Sequence, residues 1–153
     1  MRTFARLAAA SLALAALSAC APSGTPETPT QLQADYRQQA AARLEANDWK
    51  LGSWQPEQPL EPMLQTLLNQ QLATMTVHFG QGRLRADSPT IHIDRAYQVA
   101  DASGPQVVIV TTDDMGGTLR STAQFSDDGA TVYFHGETEP WRGNGTLVKA
   151  PHR

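Results

Sequence analysis

The pattern of apolar positions divides the chain into stretches of different period. From Leu7 to Leu17 the run is apolar and uncharged, with Arg2 and Arg6 ahead of it. Residues 21–29 hold three prolines and no large apolar side chain, which reads as an extended tether. Two helical patterns follow. Thr28-Pro29-Thr30-Gln31 places a capping Thr, a proline in the first turn and a Gln three residues on, which predicts a helix over 30–47. Its apolar stripe is thin (Leu32, Tyr36, Ala40, Leu44), so it is expected to rest one face lightly on the domain or to serve as a stalk. Leu60, Met63, Leu64, Leu67, Leu68 and Leu72 keep helical spacing and predict a second helix over about 60–73. Its stripe is expected to cover the domain's own core.

After Thr74 the period falls to two. Met75, Val77 and Phe79 alternate with polar residues, and Gly80-Gln81-Gly82 turns the chain toward Leu84. Ile91 and Ile93, then Tyr97 and Val99, alternate up to a break at 102–105. Val107 to Thr112 is a β-branched run ended by Asp113-Asp114-Met115-Gly116-Gly117. Alternation resumes over Thr118–Phe125 and Thr131–His135, on either side of an Asp127-Asp128-Gly129 hairpin signal. An irregular loop over 136–145 precedes a last strand at 146–149. With a short strand near 49–51 this makes about eight strands and no intervening helical pattern among the later ones. The fold class expected is mainly β (α+β): an antiparallel meander closing into a barrel or half-barrel, with two accessory helices near the N-terminus.

Composition narrows the function. The 153 residues carry 12 basic and 15 acidic side chains, a net charge of −3, which gives little to drive binding to a nucleic-acid backbone. The single cysteine excludes an internal disulfide, a cysteine-rich zinc site and a CxxC redox motif. Its setting, Leu17-Ser18-Ala19-Cys20 after a doubly positive start and an eleven-residue apolar run, resembles the lipobox of bacterial lipoproteins. The resemblance implies cleavage of residues 1–19 and a covalent lipid on Cys20. It also implies, since Ala21 and not Asp follows, a membrane partner in the outer membrane. Losing Arg2 and Arg6 with the leader makes the mature chain more acidic.

Leu51-Gly52-Ser53-Trp54 resembles the Gly-x-Trp signature on the first strand of lipocalins and small lipocalin-like bacterial domains. Tyr97 on a middle strand and an acidic-Gly hairpin before Val132-Tyr133-Phe134 extend the likeness over about residues 48–150. The resemblance implies a lipocalin-like domain over 48–153 in which Trp54 plugs one barrel end. It also implies a small apolar or amphiphilic ligand inside. The helix at 60–73 stands where typical lipocalins have a loop, and the arginine that packs over the tryptophan has only Arg142 or Arg153 as a counterpart.

No pattern of catalysis emerges: there is no G-x-S-x-G, no HExxH and no free cysteine, so no catalytic residue, metal site or cofactor is expected beyond the lipid. His78, His92, His135 and His152 are scattered, and His92-x-Asp94 lies on a polar strand face. Asp113-Asp114 reads as a turn. The ligand-wall residues expected are Trp54, Phe79, Tyr97 and Phe134. In the 136–145 loop, Trp141 and Arg142 suit recognition of a sugar or an envelope protein, while a Trp141 folded back over one barrel end is the simpler expectation. An envelope interaction protein with a filled barrel is the alternative to a ligand carrier.

Overall fold

The computed structural model describes residues 28–139 and 141–151. The leader, Cys20 and most of the tether, together with His152 and Arg153, therefore lie outside the described residues. The elements are α1 (Pro29–Glu45), β1 (Asp48–Pro56), α2 (Pro62–Leu72), β2 (Thr76–Gly80), β3 (Arg83–Asp87), β4 (His92–Ser103), β5 (Gln106–Thr112), β6 (Thr118–Phe125), β7 (Thr131–Gly136) and β8 (Gly143–Lys149). Each strand pairs antiparallel with the next, and β1 pairs with β8 to close an eight-stranded barrel. Closure gives the backbone N–H and C=O groups of the first and last strands their partners. The irregular loop expected over 136–145 is shorter, because β7 runs to Gly136 and β8 starts at Gly143.

The N-terminal helix starts where its sequence says. Thr28 accepts from the Gln31 N–H, while the Gln31 side chain accepts from the Thr28 N–H at 3.0 Å. Its first half stays exposed at Leu32 and Tyr36, and its second half buries Ala40 and Leu44. That second half lies against the barrel end formed by the start of β1, the end of β6 and the middle of β4. The Arg43 guanidinium stands 4.1 Å from the centroid of the Phe125 ring, and the Trp49 indole N–H donates to the Leu44 carbonyl at 2.8 Å. Gln33 bonds Asp101 and the Ala102 carbonyl. One barrel end is thus closed by a helix.

The second helix departs from expectation. Only its last turns reach the barrel: Leu72 is buried and Leu68 packs against the core. Met63, Leu64 and Leu67 remain 75%, 53% and 52% exposed. The reason is topological. β1 pairs with β2 only over Asp48–Lys50, and α2 flanks the rest of β1 and returns the chain to β2. A strand wall closed by β8 on its other side offers the helix one narrow strip to cover. Among the described residues, no helix is long and apolar enough to cross a membrane.

Candidate ligand site

Trp49 and Trp54 are five residues apart, so in a regular strand they would point to opposite faces. The register with β8 slips between Leu51 and Ser53, leaving Gly52 as an extra residue in a β-bulge. Beyond the bulge the parity reverses, so Trp54 faces inward as Trp49 and Leu51 do. A Cβ on Gly52 would stand 2.8 Å from the Thr146 hydroxyl, which already shares a 2.9 Å hydrogen bond with Ser53. β4 carries a second slip, between Val99 and Asp101, which brings Ala102 inward.

The bulge also decides which tryptophan closes which end. Trp49 is fully buried, at 0% exposure, beneath the helix-closed end. Trp54, expected as the plug, sits partly buried toward the opposite end. There its ring meets Trp141 edge-on at 6.0 Å between centroids, with the planes 65° apart. Trp141 is held by the loop after β7. Its N–H donates to the Thr138 carbonyl at 3.0 Å, and its own carbonyl oxygen occupies the space that a Cβ on Gly136 would need. The pair forms a partial lid over the barrel mouth.

Between these ends lies a cavity of about 180 Å³. Its walls are mainly aliphatic and aromatic, among them Met75, Val77, Phe79, Ile109, Ala123 and Phe134. Toward the mouth the lining turns polar with Arg95, Thr111, Ser121 and Thr138. An engineered apolar cavity of about 150 Å³ admits benzene, whereas drug-sized ligands occupy roughly 300 Å³ or more. The space therefore suits a single ring or a short alkyl chain.

Of the residues expected on the wall, Trp54, Phe79 and Phe134 line this cavity. The Phe134 ring packs over Gly145, its cross-strand partner on β8, where any side chain would collide with it. Tyr97 faces inward but lies on the helix side of Phe79, which it meets edge-on at 5.1 Å. Its hydroxyl donates to the Glu45 carboxylate at 2.5 Å. Trp141 lines the mouth, whereas Arg142 turns outward and braces the loop. Its Nε donates to the Glu137 carbonyl at 3.2 Å and pairs with Glu57 and Glu139 at 3.4 and 3.7 Å. Cys20 lies outside the described residues.

Burial, then the bond to Glu45 and its negative charge, raise the Tyr97 pKa well above its ordinary 10.0. An unfolded tyrosine loses its proton at about pH 10, so above that point the unfolded chain binds fewer protons than the folded one. Stability contributed by Tyr97 is full below pH 10 and is lost as the pH climbs toward the folded value. Urea midpoints at about pH 8 and about pH 11 are expected to fall more for the wild type than for Tyr97→Phe. Equal falls would show that Tyr97 does not carry this dependence.

Two residues of the cavity wall, and the tryptophan beneath it, carry only weak marks in the sequence. Trp49 is hidden between Asp48 and Lys50, which make its surroundings read as polar. Arg95 shares inward parity with Ile91, Ile93 and Tyr97, so the alternation did carry a signal for it. Ala123 is small, and nothing in its spacing marks it as part of a cavity wall. The three described histidines lie on the outer surface: His78 bonds Asp48 at 2.7 Å, His92 bonds Asp87 at 2.9 Å and His135 bonds Asn144 at 3.0 Å. Among the described residues no group of three or more His, Cys, Asp or Glu is placed to hold a metal. A larger hollow of about 570 Å³ lies outside the wall, lined by hydroxyl and amide side chains such as Gln55, Thr122 and Gln124. It lies on the outer face of the strands, whereas the interior cavity brings together the apolar surface and the aromatic lid. No protein-family model, curated protein or solved structure matches this chain.

Proposed function

We propose that the protein is a non-enzymatic lipoprotein of the cell envelope, held to the outer membrane through lipid on Cys20, whose barrel receives a small apolar or amphiphilic molecule. The observation that carries the ligand reading is the interior cavity of about 180 Å³, mainly apolar in its lining and lidded by Trp54 and Trp141 at the end away from α1. A packed interior leaves few voids larger than a water molecule, so an apolar space of this size at the barrel mouth invites an apolar guest. The test is to fill it. Ala123 sits mid-wall, between Val107 and Phe134 in register, and is buried. Ala123→Leu is expected to abolish the tryptophan-fluorescence response to benzene-sized probes while leaving the melting temperature unchanged or higher. Undiminished probe binding in a folded Ala123→Leu protein would place the guest elsewhere.

The second reading, an envelope interaction protein, is favoured by the solvent-facing Met63, Leu64 and Leu67 of α2. It calls for a stoichiometric protein partner that survives Ala123→Leu and is lost when these three residues are made polar. Co-purification from the native membrane separates the two readings.

A further inference from the structure

Resting on the reading that the cavity takes a guest, we propose that Arg95 selects the guest's chemistry. The molecule that fits is a short amphiphile whose alkyl or single-ring body fills the cavity and whose one carboxylate meets the Arg95 guanidinium at the mouth. Arg95 sits on β4 opposite Leu84, between the inward Ile93 and Tyr97, and lines the cavity while partly buried. Among the described residues the ion pairs engage Arg83, Arg85, Arg120 and Arg142, but no carboxylate stands within 4 Å of Arg95.

The two acids beside it in sequence and register are engaged elsewhere. Asp94 points to the other face and bonds Arg83 at 2.8 Å, with Arg85 at 3.6 Å. Asp113 follows Thr112, which pairs with Ala96, and its carboxylate accepts from the Met115 and Gly117 N–H groups at 3.0 and 2.7 Å. A charge facing an apolar space without a partner is costly, and a guanidinium fork matches a carboxylate with two parallel hydrogen bonds. Thr111 and Ser121, on the same stretch of wall, add hydroxyl donors. The depth limits the tail: Phe79, Tyr97 and Trp49 fill the barrel below, and α1 closes it.

Octanoate, octanol and dodecanoate, titrated against the full-length protein by calorimetry and tryptophan fluorescence, test this. The wild type is expected to bind octanoate about tenfold more tightly than octanol, the size of one charge-assisted hydrogen bond. Dodecanoate is expected to gain nothing over octanoate. Arg95→Gln is expected to reduce the octanoate-to-octanol ratio to about one while octanol binding stays unchanged, and Arg95→Lys to keep part of the preference. Octanol bound as tightly as octanoate by the wild type would overturn the role of Arg95 and leave the cavity reading standing, and this comparison needs no variant to fold. An unchanged ratio in folded Arg95→Gln would overturn it equally. Failure of both eight-carbon probes to bind would overturn the cavity reading itself.

Discussion

Replacing Trp49 with alanine is expected to lower folding stability by about 3–5 kcal/mol, the range for deleting a large buried aromatic side chain. Two losses combine there. The indole is fully buried among the residues that close the barrel, and the surrounding strands are tied on both sides, so the hole can collapse only partly. The indole N–H also satisfies the Leu44 carbonyl at 2.8 Å, one of the last four carbonyls of α1 that the helix itself leaves without a partner. With it would go the seat of α1, since Ala40, Leu44 and Trp49 belong to one buried cluster. A melting temperature lower by roughly 10–20 °C is expected for a domain of this size. Trp54→Ala should cost far less, because Trp54 is partly exposed and rests on Trp141 across the mouth. A larger loss for Trp54→Ala than for Trp49→Ala would reverse the assignment of the two ends.

The contrast between these tryptophans shows what the sequence could and could not disclose. Strand periodicity was legible because a closed barrel has one inside and one outside, so alternation over Met75–Phe79, Ile91–Val99 and Thr118–Phe125 translates directly into wall positions. Strand parity counted from Trp49 would turn Trp54 outward, and its inward facing depends on a bulge at Gly52. A glycine in a strand is consistent with a bulge, a close approach or a simple weakening, and only the register with Leu147 and Thr146 distinguishes them. The stripe on α2 was equally visible, yet periodicity says which residues share a face and not what stands opposite. Here β8 already closes β1 on one side, so α2 finds room for Leu68 and Leu72 and leaves Met63, Leu64 and Leu67 in solvent.

The cavity was illegible for a related reason. Its volume is the small difference between a barrel's interior and the sum of the side chains that enter it, and a few small residues decide it. Ala86 and Ala123 contribute little bulk, and Gly136 and Gly145 contribute none. Gly145 leaves room for the Phe134 ring to lie flat along the wall, and Gly136 lets the Trp141 carbonyl approach, which seats the lid. Enlarging Ala123 would therefore shrink the guest space directly, whereas a side chain at Gly136 would displace the loop that carries Trp141. The first change tests the space and the second would test its cover.

Cys20→Ser is expected to release the protein from the membrane altogether. The lipobox resemblance implies a diacylglycerol thioether and an acylated amino group, and the serine hydroxyl cannot replace the thiol that accepts the lipid. Each buried CH₂ contributes about 0.8 kcal/mol to membrane binding; one myristoyl chain alone is only marginal, and several chains together are effectively permanent. Among the described residues no helix is long and apolar enough to serve as a second, membrane-spanning anchor. The net charge is negative, so attraction to anionic headgroups is weak, and α2 carries no Lys or Arg among its eleven residues. Radiolabelled palmitate should enter the wild type and not Cys20→Ser, and the variant should move from the membrane fraction to the soluble one. Its melting temperature and its octanoate binding should stay those of the barrel, because the described cavity lining runs from Leu51 to Leu147 and Cys20 lies eight residues before Thr28 in sequence. Those eight residues span at most about 30 Å, so lipid on Cys20 would keep the start of α1 within that distance of the bilayer surface. Palmitate incorporation that persists in Cys20→Ser would refute the lipobox, while unlabelled wild type expressed in a bacterium with active lipoprotein processing would refute the anchor.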